Sequence, residues 1–190
     1  MNEEKRIIKA ARKMFFSYGY SKITMDELAT HLHMSKNTIY KKFPSKKYLL
    51  KEVIDDFFKE ISTDLDQIIL HKDLSFKEMF ERYTYFLYEN LSKLNVRAVN
   101  DIKKTNPDLW MLINDYREDI LKTKLKEIIQ KGMNEGVIKR ELSLEIIMEI
   151  IINSVQKIVV PEFVSELPLS FEQVLDMIMD IILEGVLTNN

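Results

Sequence analysis

The sequence predicts an all-α protein: an N-terminal three-helix helix-turn-helix domain joined to a larger C-terminal helical domain. Three observations carry this. The 190 residues include only four Gly and four Pro, and 46% are apolar, which favours long helices joined by short connections. Apolar residues recur at three- and four-residue steps through most of the chain, the helical period. The net charge of −2 is unevenly spread: residues 1–50 hold eleven Lys/Arg and four Asp/Glu, the remainder seventeen and twenty-six. A head of net +7 on a body of net −9 suits a head that meets a polyanion and a body that does not.

Residues 3–18 read as the first helix, with Ile7, Ala11, Met14 and Phe15 on one face and Gly19 as its left-handed stop. Thr24 and Glu27 form a T-x-x-E capping box opening a helix that buries Met25, Leu28, Ala29 and Leu32. The pattern breaks at His33-Met34, and Ser35 caps a second short helix that ends before Pro44. Two short helices about three residues apart have helix-turn-helix geometry. Ile39 and Phe43 point inward from the second; Lys36, Asn37, Thr38, Tyr40, Lys41 and Lys42 form its other face, which carries no acid. An amide such as Asn37 can pair bidentately with adenine, and a lysine can reach guanine O6 and N7. Ser45 caps the next helix, whose first turn holds Lys46 and Lys47, a setting that suits a phosphate.

That helix runs from Ser45 to about Leu70, roughly 35–40 Å, and no flexible linker separates head from body. Ser75 opens a helix to about Leu94, and a short segment, Val96 to Lys104, follows. A helix starts at Pro107 and is stopped by Gly132 or Gly136. The last two helices cover about 143–159 and 170–188, with more apolar surface than one buried face needs. Paired across a two-fold axis they would form a four-helix bundle, with Ile147, Ile151, Val155, Leu175, Met179 and Ile182 as the dimer interface.

The residues of the head carry a family pattern in order: Thr24, Glu27-Leu28-Ala29, Ser35-Lys36, Thr38-Ile39-Tyr40, Phe43, Ser45-Lys46 and Leu49. This resembles the DNA-binding domain of the tetracycline-repressor (TetR) family of bacterial regulators, over about 45 residues. One position departs: His33 stands where the family usually has Gly, and His tolerates the left-handed region better than branched residues do. The resemblance implies a DNA-binding domain over 1–48 and a ligand-binding and dimerisation domain over 49–190. It implies a homodimeric regulator, expected to be a repressor, that holds double-stranded DNA. Base edges would face Lys36, Asn37, Thr38 and Lys41; phosphates would face Lys22, Thr24, Ser35, Tyr40 and Lys46. It also implies a pocket for a small-molecule effector, for which Phe80, Tyr83, Phe86, Trp110, Met111, Tyr116 and Met133 are candidates, although the same residues would serve as plain core.

Other chemistry finds little support. Without cysteine there is no disulfide, thiolate nucleophile or thiolate metal site. His31, His33 and His71 lack ligand spacing, and no Gly-rich phosphate loop or nucleophile elbow occurs, so no enzyme, metal or cofactor is expected. The longest unbroken apolar run, Leu109 to Ile113, is far too short for a membrane span, and the first residues lack the apolar core of a secretory leader. A cytoplasmic protein is the expectation. The alternative function is a helical small-molecule- or protein-binding module that no longer reads DNA, a reading that only His33 favours.

Overall fold

The computed structural model describes residues 2–71, 73–92, 96–158, 161–164 and 166–187, with ten α-helices and no strand among them. The chain divides into two compact units: Met1–Ile61 with Leu94–Arg117, and Ser62–Lys93 with Glu118–Asn190. Compactness therefore groups the chain differently from a boundary at 48/49. It adds the first part of the long helix, and a returning segment, to the head.

In the first unit, α1 (Glu3–Tyr18) is capped by Asn2 and buries Ile7, Ala11 and Phe15. Gly19 stops it at φ 98°, ψ 142°: positive φ as expected, but with an extended ψ instead of a left-handed helical one. α2 (Met25–Leu32) packs on α1 and on α3 (Lys36–Lys42). Phe43 ends α3 with an extended backbone ahead of Pro44. α4 (Lys46–Ile69) begins at Ser45, whose Oγ accepts the Tyr48 N–H at 3.0 Å, and continues unbroken for 24 residues. Val96–Thr105, read from the sequence only as a short segment, is a helix, α6, packed on α1. Its Asp101 accepts the Ser21 N–H at 2.6 Å and the Ser21 hydroxyl at 2.5 Å, tying down the turn after α1. α7 (Pro107–Asn134) starts in this unit, where Tyr116 stacks on Phe58 at 5.2 Å and donates its hydroxyl to Asp55 at 2.9 Å.

The second unit contains α5 (Phe76–Ser92), the remainder of α7, α8 (Leu144–Ile158), α9 (Pro161–Val164) and α10 (Phe171–Val186). α10 packs on α8 and on α5. Phe76, Phe80, Tyr83, Leu125, Ile128 and Ile138 are among its buried side chains. Of the two candidate stops for α7, the chain turns at Gly136, φ 73°; Gly132 lies inside the helix, against Phe76 and Ile138. The four-residue α9 lacks the length for any periodic signal in sequence. The expected helix ends at Leu94, Val159 and Thr188 lie outside the described residues.

Candidate DNA-reading face

The face is built on two caps and one left-handed residue. The Thr24 hydroxyl accepts the Glu27 N–H at 3.1 Å while Glu27 takes the Thr24 N–H at 2.7 Å, so the capping box fixes the start of α2. These hydrogen bonds hold the Glu27 carboxyl below the usual glutamate range. His33 sits at φ 53°, ψ 44°, the left-handed conformation expected of the residue standing where Gly is usual. The Met34 N–H returns to Ala29 O at 2.9 Å. Arg6 reaches across from α1 to donate to Leu32 O at 2.7 Å, satisfying a carbonyl at the end of α2. Ser35 Oγ accepts the Thr38 N–H at 3.0 Å and starts α3.

Ile39, fully buried, pins α3 from beneath together with Phe43. The opposite surface presents two rows at four-residue spacing, Lys36 with Tyr40 and Asn37 with Lys41, all four side chains exposed. Thr38, expected among the base-facing residues, is partly buried and its hydroxyl lies 2.8 Å from that of Ser35. Lys22, Thr24 and Ser35 are exposed; Lys22, Asn37 and Lys41 have no hydrogen bond or ion pair among the described residues. Lys46 differs from the rest of its expected set. Its ammonium lies 4.1 Å from the centroid of Tyr20 and is partly buried, and that desolvation pulls its pKa below the ordinary lysine value while Asp101 and Glu27 pull it back.

Several of the other cations are already paired with the head's own acids. Lys36 meets Asp26 at 2.8 Å, Lys42 meets Glu4 at 3.1 Å and Glu3 at 3.5 Å, and Lys47 meets Asp108 at 2.7 Å. Reading α3 and the start of α4 one helix at a time misses these partners, because each lies on another helix. The same holds for Arg6 and Asp101: a contact 26 or 80 residues away leaves no local pattern.

The candidate pocket residues fall into both units. Phe80 and Tyr83 are buried in the second, where burial pushes the Tyr83 hydroxyl pKa up, and Phe86 and Met133 there are partly buried. Trp110 and Tyr116 belong to the first and are partly buried; Met111, 61% exposed, faces solvent. Of the six residues expected at a dimer interface, Ile147, Ile151, Val155, Leu175, Met179 and Ile182 are all buried within the subunit itself. The helical register turns another apolar set outward on the same helices: Ile146, Ile150, Met177 and Ile181, between 49% and 69% exposed. Among the described residues no helix is long and apolar enough to cross a membrane.

This arrangement, a capped helix pair presenting a polar and basic second helix, is that of a helix-turn-helix protein. Residues 7–53 match the family described as bacterial regulatory proteins, tetR family. Over those residues the chain carries the DNA-binding domain of the TetR family of transcriptional regulators. It is 27% identical over 113 residues to the HTH-type transcriptional regulator YvaF of Bacillus subtilis, a match covering 60% of this chain and 59% of that protein. It is 26% identical to YhgD of the same organism over 73% of each chain. Solved structures share the whole fold. The fatty acid degradation regulator FadR from Bacillus halodurans superposes with a TM-score of 0.74 at 17% identity, over 97% of each chain. A transcriptional regulator from Saccharomonospora viridis in complex with choline gives 0.77 at 20% identity, over 98% of each. FadR from Bacillus subtilis in complex with stearoyl-CoA gives 0.72 at 18%, over 95% of this chain and 98% of that one.

Proposed function

We propose that the protein is a cytoplasmic homodimeric transcriptional repressor that reads a pseudo-palindromic operator and leaves it when a small, hydrophobic effector binds. The observation that carries the reading is the outer face of α3, where Asn37 and Lys41 have no partner among the described residues and stand beside Lys36 and Tyr40, over an Ile39 that fixes the helix's rotation. Asn37 and Lys41 take base edges, together with Lys36 once it leaves Asp26; Lys22, Thr24, Ser35 and Tyr40 take phosphates, which position the head without selecting sequence. Lys46 joins the phosphate set only by giving up its seat on Tyr20.

The outward set Ile146, Ile150, Met177 and Ile181 supports a two-fold pairing through α8 and α10. Two heads on one duplex must reach half-sites about 34 Å apart, one helical turn. α4 and α7 each pass unbroken from one compact unit into the other, so they are the segments through which an effector changes head spacing. Only a difference in the effector's affinity for the two spacings can drive release.

The test is selection from random duplexes, with the affinity of the winners measured at several salt concentrations. An enriched inverted repeat with a steep negative salt slope is expected. Absence of enrichment, with weak binding even at low salt, overturns the reading.

A further inference from the structure

The inward side of α7 carries two polar groups that the described residues leave unanswered. Trp110, Ile113, Asn114 and Arg117 occur at three- and four-residue steps along one stripe of the helix, and all four are partly buried. Met111 and Asp115, on the other side, are exposed. Among the described residues, neither Asn114 nor Arg117 makes a hydrogen bond, ion pair or ring contact.

That sets Arg117 apart from the other partly covered cations. Arg12 has Asp56 and Glu60, Lys42 has Glu3 and Glu4, Lys122 has Glu118 and Glu149, Lys124 has Asp66 and Glu127, and Lys131 has Glu135. Lys139 donates to Gly185 O at 2.9 Å, and Lys46 lies over the Tyr20 ring. Asp55, which accepts the Tyr116 hydroxyl, is paired with Lys51 at 2.6 Å. Desolvation lowers the pKa of Arg117, with no opposing charge among the described residues to restore it. Holding a guanidinium partly out of water without a counter-charge is costly, and polar groups that a fold covers are ordinarily hydrogen-bonded. No side-chain nitrogen in the described structure is sealed off without a partner, so the Arg117 guanidinium stays open to an incoming group.

We propose that Arg117, assisted by Asn114 one turn before it, anchors the anionic head group of an amphipathic effector, whose apolar part lies along the stripe marked by Ile113 and Trp110. A guanidinium offers two parallel N–H donors to a carboxylate or phosphate, and a carboxamide N–H can donate a further bond to the same oxygens. The assignment rests on the effector reading above and gives that effector a sign of charge. The two liganded fold neighbours do not: stearoyl-CoA is an anion and choline a cation.

Trp110, the sole tryptophan of the chain, lies two turns from Arg117, about 10 Å along the axis, and reports binding by its fluorescence. The full-length protein is titrated with dodecanoate and dodecyl phosphate, each below its micellar concentration, and with dodecanol below its solubility limit, and the affinities are confirmed by calorimetry. The wild type binds at least one of the two anions about tenfold or more tightly than the alcohol, and which anion binds more tightly distinguishes a carboxylate from a phosphate ligand. Arg117→Gln removes that preference and leaves dodecanol binding unchanged; Arg117→Lys keeps part of it; Asn114→Ala weakens the anion about three- to fivefold. Without ligand, Arg117→Gln melts at or above the wild-type temperature, because it removes an uncompensated charge. Equal affinity of Arg117→Gln and wild type for the anions, no binding of either anion to the wild type, or a marked fall in the melting temperature of Arg117→Gln overturns the proposal. The same probes added to the protein bound to its selected duplex separate the two readings. Arg117-dependent binding without release of DNA leaves the anchor standing and removes the release mechanism.

Discussion

Gly132 lies within α7, yet a Cβ built there would sit 2.7 Å from Phe76 Cδ2, 2.7 Å from Ile138 Cδ1 and 3.0 Å from Ile138 Cγ1. Carbon atoms pack at about 3.5–4.0 Å, so Gly132→Ala requires both neighbours to retreat by roughly 1 Å. Neither has room. Ile138 is fully buried, and its N–H donates to Gly132 O at 3.1 Å. Phe76 is 2% exposed and is held by its backbone N–H, which donates to Glu135 at 3.0 Å. Overpacking of this kind costs about 1–3 kcal/mol, against a gain of about 1 kcal/mol from replacing Gly by Ala in a helix. The net expectation is destabilisation by up to about 2 kcal/mol, which for a chain of this size lowers Tm by up to about 8 °C. The assay is thermal unfolding followed by circular dichroism, with Gly185→Ala as control. A Cβ at Gly185, in α10, meets nothing within 4 Å, so there the propensity gain stands alone and Tm rises by up to about 3 °C. If Gly132→Ala raises Tm as Gly185→Ala does, the close approach of the α7 backbone to Phe76 and Ile138 is refuted.

Four further outcomes are expected. Asn37→Ala costs about 1–3 kcal/mol on the selected duplex and alters sequence preference there; binding assays showing equal losses on selected and random DNA would remove it from the base-reading set. His33→Gly changes stability by less than about 1 kcal/mol, because relief of left-handed strain opposes the added entropy of the unfolded chain, whereas His33→Val lowers Tm clearly; calorimetry of the two variants checks this. The Glu27 and Glu78 carboxyls, held below the usual range by the Thr24 and Ser75 hydrogen bonds, contribute stability that is fully present above the unfolded glutamate pKa and is lost as the pH falls through their lowered folded values; Glu27→Gln with Glu78→Gln flattens that acid limb of the Tm–pH curve. Ile146→Glu with Ile181→Glu yields a monomer by analytical ultracentrifugation without unfolding the subunit, since both side chains point outward; an unchanged dimer would place the two-fold interface elsewhere.

The head was readable because its signals are local. A capping box, a serine cap and a proline each act within four residues, and all three stand where the spacing puts them. Even the His33 conformation followed from one residue type at one turn position. What escaped has a common physical cause, which is that its partners are remote in sequence. α6 has few buried side chains of its own, Ala98 and Ile102 among the described residues, and its place is decided by α1 and by Asp101 reaching Ser21. Lys46 sits in the first turn of α4, a position that suits phosphates, but Tyr20, 26 residues earlier, draws it inward. On α8 and α10 the apolar positions are so many that periodicity gave the helices but not which side met the subunit's own core. Ile147 and Ile146 differ by a single step of about 100°, and only packing on α10 decides between them.

The internal pairing of the head's lysines bears on how its salt dependence must be counted. A lysine that meets a phosphate from open solvent brings no ion of its own to the exchange, and the cation displaced from the duplex appears in full in the slope. Lys36, Lys42 and Lys47 start from Asp26, from Glu3 and Glu4, and from Asp108. When such an ammonium transfers to the nucleic acid, the carboxylate it abandons gathers a cation from solution and cancels part of the release. The number of ions read from a titration therefore falls short of the number of cations brought to the duplex, and neutralising Asp26 steepens the slope without adding a single contact to the nucleic acid.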